Sequence, residues 1–193
     1  MRLRVFSAPA HERVRVYSVQ EAEALERAAL LGYLTPDPSY LDDDDNRQWK
    51  RAYDWMRARM AEQIEGYSGE YPMWAWLKRP NERQSCRCED CVLITAEVPR
   101  GRFVMSDYGT WHSALNGWYL HLDEAAFDAD DDVERSREEI EESWRYCLNM
   151  ADHVGADRLA WLGGPSILPQ LCIDRIHLEE IVSMRPWRGR RRD

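Results

Sequence analysis

The sequence predicts a single compact α+β domain on a mixed or antiparallel sheet with about three helices. Three observations carry that expectation. Segments with a two-residue apolar period and segments with a helical period follow one another as strands, two helices, strands, helix, strand. No strand, glycine-rich turn and helix combine into a phosphate loop, because Gly163-Gly164 runs directly into Pro165. The 193 residues are 44% hydrophobic and include nine tryptophans, ample for one core and too apolar for a disordered chain.

The elements follow in order. Residues 1–17 alternate as Arg2-Leu3-Arg4-Val5-Phe6 and Arg13-Val14-Arg15-Val16-Tyr17, with Ala8-Pro9-Ala10 as the turn. Ser18-Val19-Gln20-Glu21 fits a capping box, so a helix is expected from there to about Leu31, with Gly32 as its left-handed stop. A second helix follows the aspartates at 42–45, because Trp49, Tyr53, Met56, Met60 and Ile64 form one stripe. Strands are expected at 73–77, 92–98 and 102–105. A loop at 106–116, a third helix with Ile140, Trp144, Cys147, Leu148 and Ala151 on one face and Gly155 at its end, and a late strand at 170–177 complete the list. The domain is expected to span 1–184, with 185–193 as a basic C-terminal tail.

The formal charge of −9 is local. Asp123 to Glu142 contains eleven acids and two arginines, leaving 24 basic against 24 acidic residues elsewhere. Such a stretch reads as a solvated, charge-capped helix start, or as a phosphate mimic that Asp130, Asp131 and Asp132 would present to a basic protein partner. Five arginines at 185–192 give a small basic footprint, but an acidic body opposes direct nucleic-acid binding. No apolar run is long enough to span a membrane, and residues 1–10 lack the apolar core of a secretory signal. Three of the five cysteines crowd together, unlike a secreted disulfide framework, so the cytoplasm is the expected location.

Three constellations could carry chemistry. Cys86, Cys88 and Cys91 supply three thiolates for a structural zinc, with a fourth ligand to come from Cys147, Cys172, His112, His121 or His153. The same residues also read as free thiols in a reducing cell. Asp107, Tyr108, Trp111, His112 and Asn116 gather where a strand hands over to a loop, either as acid–base groups or as packed residues. Trp74 and Trp76 share one face of a strand and could stack on a base, nicotinamide or sugar, or serve the core.

Val16-Tyr17-Ser18-Val19-Gln20, Tyr71-Pro72-Met73-Trp74-Ala75-Trp76 and the run from Val104 to Asn116 resemble an uncharacterised bacterial family, domain of unknown function 3841. The layout is also similar to small ADP-ribosyltransferase-like domains, with an early strand, a helix closing on Gly32-Tyr33-Leu34, a central strand ending at Asp107 and a late strand at 170–173. That resemblance implies NAD or another nucleotide held by Tyr17, Gln20, Trp74, Asp107, Trp111, Asn116 and Gln170. It also implies a late-strand glutamate, where this chain has Gln170, with Glu179 and Glu180 out of register. A glutamine can hold a ribose hydroxyl but brings no full charge to an oxocarbenium-like transition state. The expectation is therefore an ADP-ribosyltransferase-like domain that binds NAD or another nucleotide, with transfer activity left open. The alternative is a non-enzymatic acidic interaction protein with a zinc loop.

Overall fold

Alternating arginine and valine make β1 (Arg13–Glu21) the axis of the sheet, because every second side chain is forced to one face. The computed structural model describes residues 9–81, 90–121, 124–129, 133–148 and 169–187. β1 pairs along its whole length with β4 (Cys91–Pro99), from Arg13 opposite Pro99 to Glu21 opposite Cys91. Its other edge takes β3 (Met73–Trp76), where Tyr17 lies opposite Trp76. With β5 (Phe103–Asp107), β6 (Pro169–Ile173) and β8 (Ile181–Trp187), the strand order is β5-β6-β3-β1-β4-β8. Every neighbouring pair is antiparallel, the second of the two arrangements, mixed or antiparallel, that the sequence pattern allows.

Helices cover both faces. On one, Ala24 and Ala28 of α1 (Ala22–Leu31) sit four residues apart and meet Val14, Val16, Ala75, Ile94 and Leu171. Gly32 ends α1 at φ 82°, and its N–H donates to the Ala28 carbonyl at 2.8 Å. On the other, Ala52, Met56 and Met60 of α2 (Lys50–Gln63) pack with Trp111, Trp144, Val104 and Cys172. Burying each methionine in full stabilises the fold by roughly 1.5–3 kcal/mol. Among the described residues α3 (Tyr108–Leu115), α4 (Glu124–Asp128) and α5 (Arg137–Ser143) complete the helices. No described helix is long and apolar enough to cross a membrane.

Four local expectations are corrected. The capping box at Ser18 does not form, because β1 stays paired through Glu21 and the Ser18 hydroxyl donates across the sheet to the Trp74 carbonyl at 2.7 Å. The loop expected at 106–116 is mostly α3, nucleated when the Asp107 carboxylate accepts the Thr110 N–H at 2.9 Å. The third helix is shorter than expected. A capping box of Ser136 and Glu139 starts α5, which tightens after Ser143 into a 3-10 turn, Trp144–Cys147. The Trp144 indole donates to the Trp118 carbonyl at 2.8 Å, and Leu148 then bridges to Ser106. Ile140, Trp144, Cys147 and Leu148 still serve one core, while Ala151 and Gly155 lie outside the described residues. The start of the tail is displaced too, because Arg185 pairs with Leu93 and the buried Trp187 with Cys91 inside the sheet.

The late strand also breaks in two. At Asp174 the chain leaves β6 and enters β7 (Ile176–His177), which pairs with β2 (Tyr33–Leu34) in a second small sheet. The buried Asp174 carboxylate accepts the N–H of Ser68 at 3.0 Å and of Arg175 at 2.8 Å. Arg102 stands 3.6 Å from that carboxylate and donates to both oxygens of the buried Glu180 at 3.2 and 3.3 Å. It also donates to the Arg175 carbonyl at 2.9 Å. Among the described residues Arg102 is the cation paired with these two carboxylates, each only 4% exposed, so its removal would strip them of that counter-charge. Arg102→Ala should therefore lower stability by about 3 kcal/mol, measured by urea unfolding, and loss of under about 0.5 kcal/mol, as at ordinary surface sites, would refute the hub.

Candidate functional site

The sheet brings some of the candidate residues together, but not as an open cleft. Gln170 on β6 lies between Ser106 on β5 and Trp76 on β3, and Trp76 lies opposite Tyr17 on β1. Gln170 is 2% exposed and donates from Nε2 to Ser106 Oγ at 3.0 Å. Asp107 is equally buried and capped onto α3. Trp111, also 2% exposed, is enclosed by Tyr53 at 5.5 Å and Trp74 at 5.1 Å between ring centroids. The Trp74 indole donates to the Tyr53 hydroxyl at 3.3 Å. Gln20 points to the opposite face from Tyr17 and donates to Ser18 Oγ at 2.7 Å. Asn116 stands apart at the end of α3, exposed, with its amide donating to the His112 carbonyl at 2.8 Å. Of the residues expected to hold a nucleotide, Asp107, Trp111 and Gln170 are thus filled core on one face, and Gln20 makes a separate hydrogen bond on the other.

Directly outside that core lies a ledge of half-buried and exposed rings. Trp76 meets Tyr108 at 5.8 Å and a 47° tilt, and Tyr108 meets His112 at 4.2 Å. Tyr108 is 41% exposed, His112 is exposed, and Tyr17 and Trp76 are each partly open. The helix sets this geometry, since Tyr108 and His112 are one turn apart on α3. His112 Nδ1 donates to the Tyr108 carbonyl at 2.7 Å, which leaves Nε2 as the acceptor of the neutral ring. The sequence pairs Trp74 and Trp76 as a stacking face, with Trp74 among the residues expected to hold a nucleotide. The two-residue period places both on one face and both are half-buried, but Trp74 packs against Tyr53 of α2 and Trp111 of α3, whereas Trp76 meets Tyr108.

Beside the aromatic core, α2 carries a polar cluster. Lys50 donates to Asp54 at 2.7 Å, and the Tyr71 hydroxyl donates to the other Asp54 oxygen at 2.7 Å. Burial works to raise the Asp54 carboxyl, but the hydrogen bonds from Lys50 and Tyr71 outweigh it and hold the group below its ordinary value.

The cysteines divide. Cys86 and Cys88 lie outside the described residues, while Cys91 is buried at the start of β4 and disulfide-bonded. Burial pushes the Cys147 thiol up to about 12 and raises Cys172 as well, so both are unreactive core groups. His121 packs between Tyr119 and Phe127, and His153 lies outside the described residues. Among the described residues no three metal-ligating groups cluster.

Several acids of the 123–142 stretch are already engaged. Glu139 closes the capping box, Glu141 meets Arg51 and Arg137, and Glu142 meets Arg145. Asp130, Asp131 and Asp132 lie outside the described residues. A surface groove of about 410 Å³ borders α5, and its Arg135 already stacks on Tyr119 at 3.7 Å.

A family model described as a domain of unknown function, DUF3841, matches residues 15–143. The chain belongs to the DUF3841 family. The match runs from β1 through α5 and includes every ring of the ledge. It stops short of β6, β7 and β8, and so of Gln170, Asp174 and Glu180. No curated protein and no solved structure matches the chain. The DUF3841 match thus adds membership without an activity.

The Asp54 cluster gives a direct pH test. A carboxyl lowered by folding contributes stability above its unfolded value near 3.9, and that contribution is lost as pH falls through the lower folded value. Asp54→Asn should lower the urea midpoint at pH 7, and its deficit against wild type should shrink below about pH 4. An equal deficit at pH 7 and pH 3 would show that the carboxylate charge does not matter.

Proposed function

We propose that this protein is a nucleotide-binding module without group-transfer activity, and that it takes the base of its ligand against the ledge of Tyr17, Trp76, Tyr108 and His112. One observation carries the reading. Trp76, Tyr108 and His112 from β3 and α3 are in ring contact in succession, and Tyr17 of β1 lies across the strand from Trp76, each with part of its area open to solvent. Large rings held half-open on rigid elements give stacking area at little entropic cost. NAD is the dinucleotide candidate that the sequence's resemblance to ADP-ribosyltransferase-like domains suggests.

Two facts speak for binding without transfer. Gln170, where those enzymes have a glutamate, is neutral and spent on Ser106. Glu180, the nearby alternative, is held by Arg102 and by the His177 N–H at 2.9 Å. Neither offers a carboxylate to a ribose on the ledge.

The test is titration with NAD and with adenine and guanine nucleotides, followed by tryptophan fluorescence and calorimetry. Binding should saturate at or below millimolar concentration. Because base stacking contributes about 1–3 kcal/mol, Trp76→Ala or Tyr108→Ala should weaken binding at least about fivefold. The fold should survive, since neither ring is enclosed in the core. Absence of saturable binding by every nucleotide at millimolar concentration would remove the reading.

A further inference from the structure

We infer that the ligand of the ledge carries a phosphate, and that Arg15 receives it by exchanging its partner Glu97 for the phosphate oxygens. The inference rests on the ledge reading above and extends it to ligand class: a phosphorylated nucleotide in preference to a nucleoside or free base.

The strand sets the position. Arg15 lies two residues before Tyr17 on β1, so the two side chains share a face about 7 Å apart. That spacing matches the reach from a stacked base across its ribose to a 5′-phosphate. Their proximity also appears electrostatically, since Tyr17 contributes to the environment of the Arg15 guanidinium.

Glu97 serves two arginines of β1 at once: Arg13 donates to the Glu97 carbonyl at 2.7 Å, and Arg15 meets the Glu97 carboxylate at 2.6 Å. Lys78 and Arg79 follow Trp76 as β3 runs out beside β1.

The exchange is feasible because the existing pair is a weak one. The Arg15 and Glu97 side chains are 57% and 38% exposed, and exposed pairs of this kind hold loosely. A phosphate presents more charge and the planar oxygen pair that a guanidinium fork prefers. The ring beside it supplies the stacking that a free phosphate would lack. A phosphorylated ligand therefore engages both features at once, whereas inorganic phosphate or a nucleoside engages one.

Calorimetry on the full chain decides the matter with matched probes: adenosine, AMP and ADP, their guanine counterparts, and inorganic phosphate. AMP or GMP should bind about tenfold more tightly than its nucleoside, as expected for a charge-assisted hydrogen bond. Added salt should erode that increment. Arg15→Gln should abolish the increment and leave nucleoside affinity within about twofold, near the scatter of surface substitutions. Glu97→Gln should strengthen monophosphate binding, because it removes the competing carboxylate. Equal affinity for nucleoside and monophosphate would overturn this inference and leave the ledge standing. Failure of both to bind would overturn the ledge and this inference together.

Discussion

Two carboxylates buried within six residues of each other in sequence, Asp174 and Glu180, require a positive charge, and Arg102 supplies it. Much of the architecture depends on meeting that requirement. Arg102 lies in the 3-10 turn joining β4 to β5, while the acids flank β7. Their union joins the edge of the main sheet to the small β2–β7 sheet. The hub also explains why the late strand breaks: once Asp174 turns to meet Ser68, Arg175 and Arg102, it cannot continue the ladder with β3 and β5. A single guanidinium thus does the work that a longer apolar interface does elsewhere in the chain.

Most of the sheet was legible because its signal is local. The Arg-Val alternation of β1, the Trp-Ala-Trp run of β3 and the apolar stripe of α2 each declare a period within one element. The misreadings have the opposite character. Ser18 has the residue type and spacing of a helix cap, but β4 holds its backbone in a ladder and Trp74 takes its hydroxyl. Asp107 looked like a loop acid because one local hydrogen bond, to Thr110, decides that a helix begins there. The third helix was read too long because Trp144 keeps the stripe's period even after the backbone tightens into a 3-10 turn.

The candidate site was legible in composition and not in placement. An aromatic surface near residues 74–116 was expected, but which rings face outward depends on what lies across from them. Trp74 packs against Tyr53 of α2 and Trp111 of α3, whereas Trp76, one pleat further along the same strand, meets the exposed Tyr108. Gln170 and Asp107 are polar residue types that commonly mark sites, yet inside the core Gln170 donates to Ser106 and Asp107 caps α3 by accepting the Thr110 N–H. The Arg102–Asp174–Glu180 hub had no local signal at all, because its members lie on separate elements and only the folded topology unites them.

The full-length pairing of β1 with β4 also governs the order in which the chain can fold. Its partners are roughly 70 to 86 residues apart in sequence, from Glu21 with Cys91 to Arg13 with Pro99. A ribosome delivers β1, α1 and α2 well before β4 exists, so the central strand must wait with one edge open. Contacts of such long range slow folding, and during that interval the valines of β1 form an unpaired apolar edge. The arginines alternating with them keep the waiting strand charged, and the same charges remain on the surface after β4 arrives.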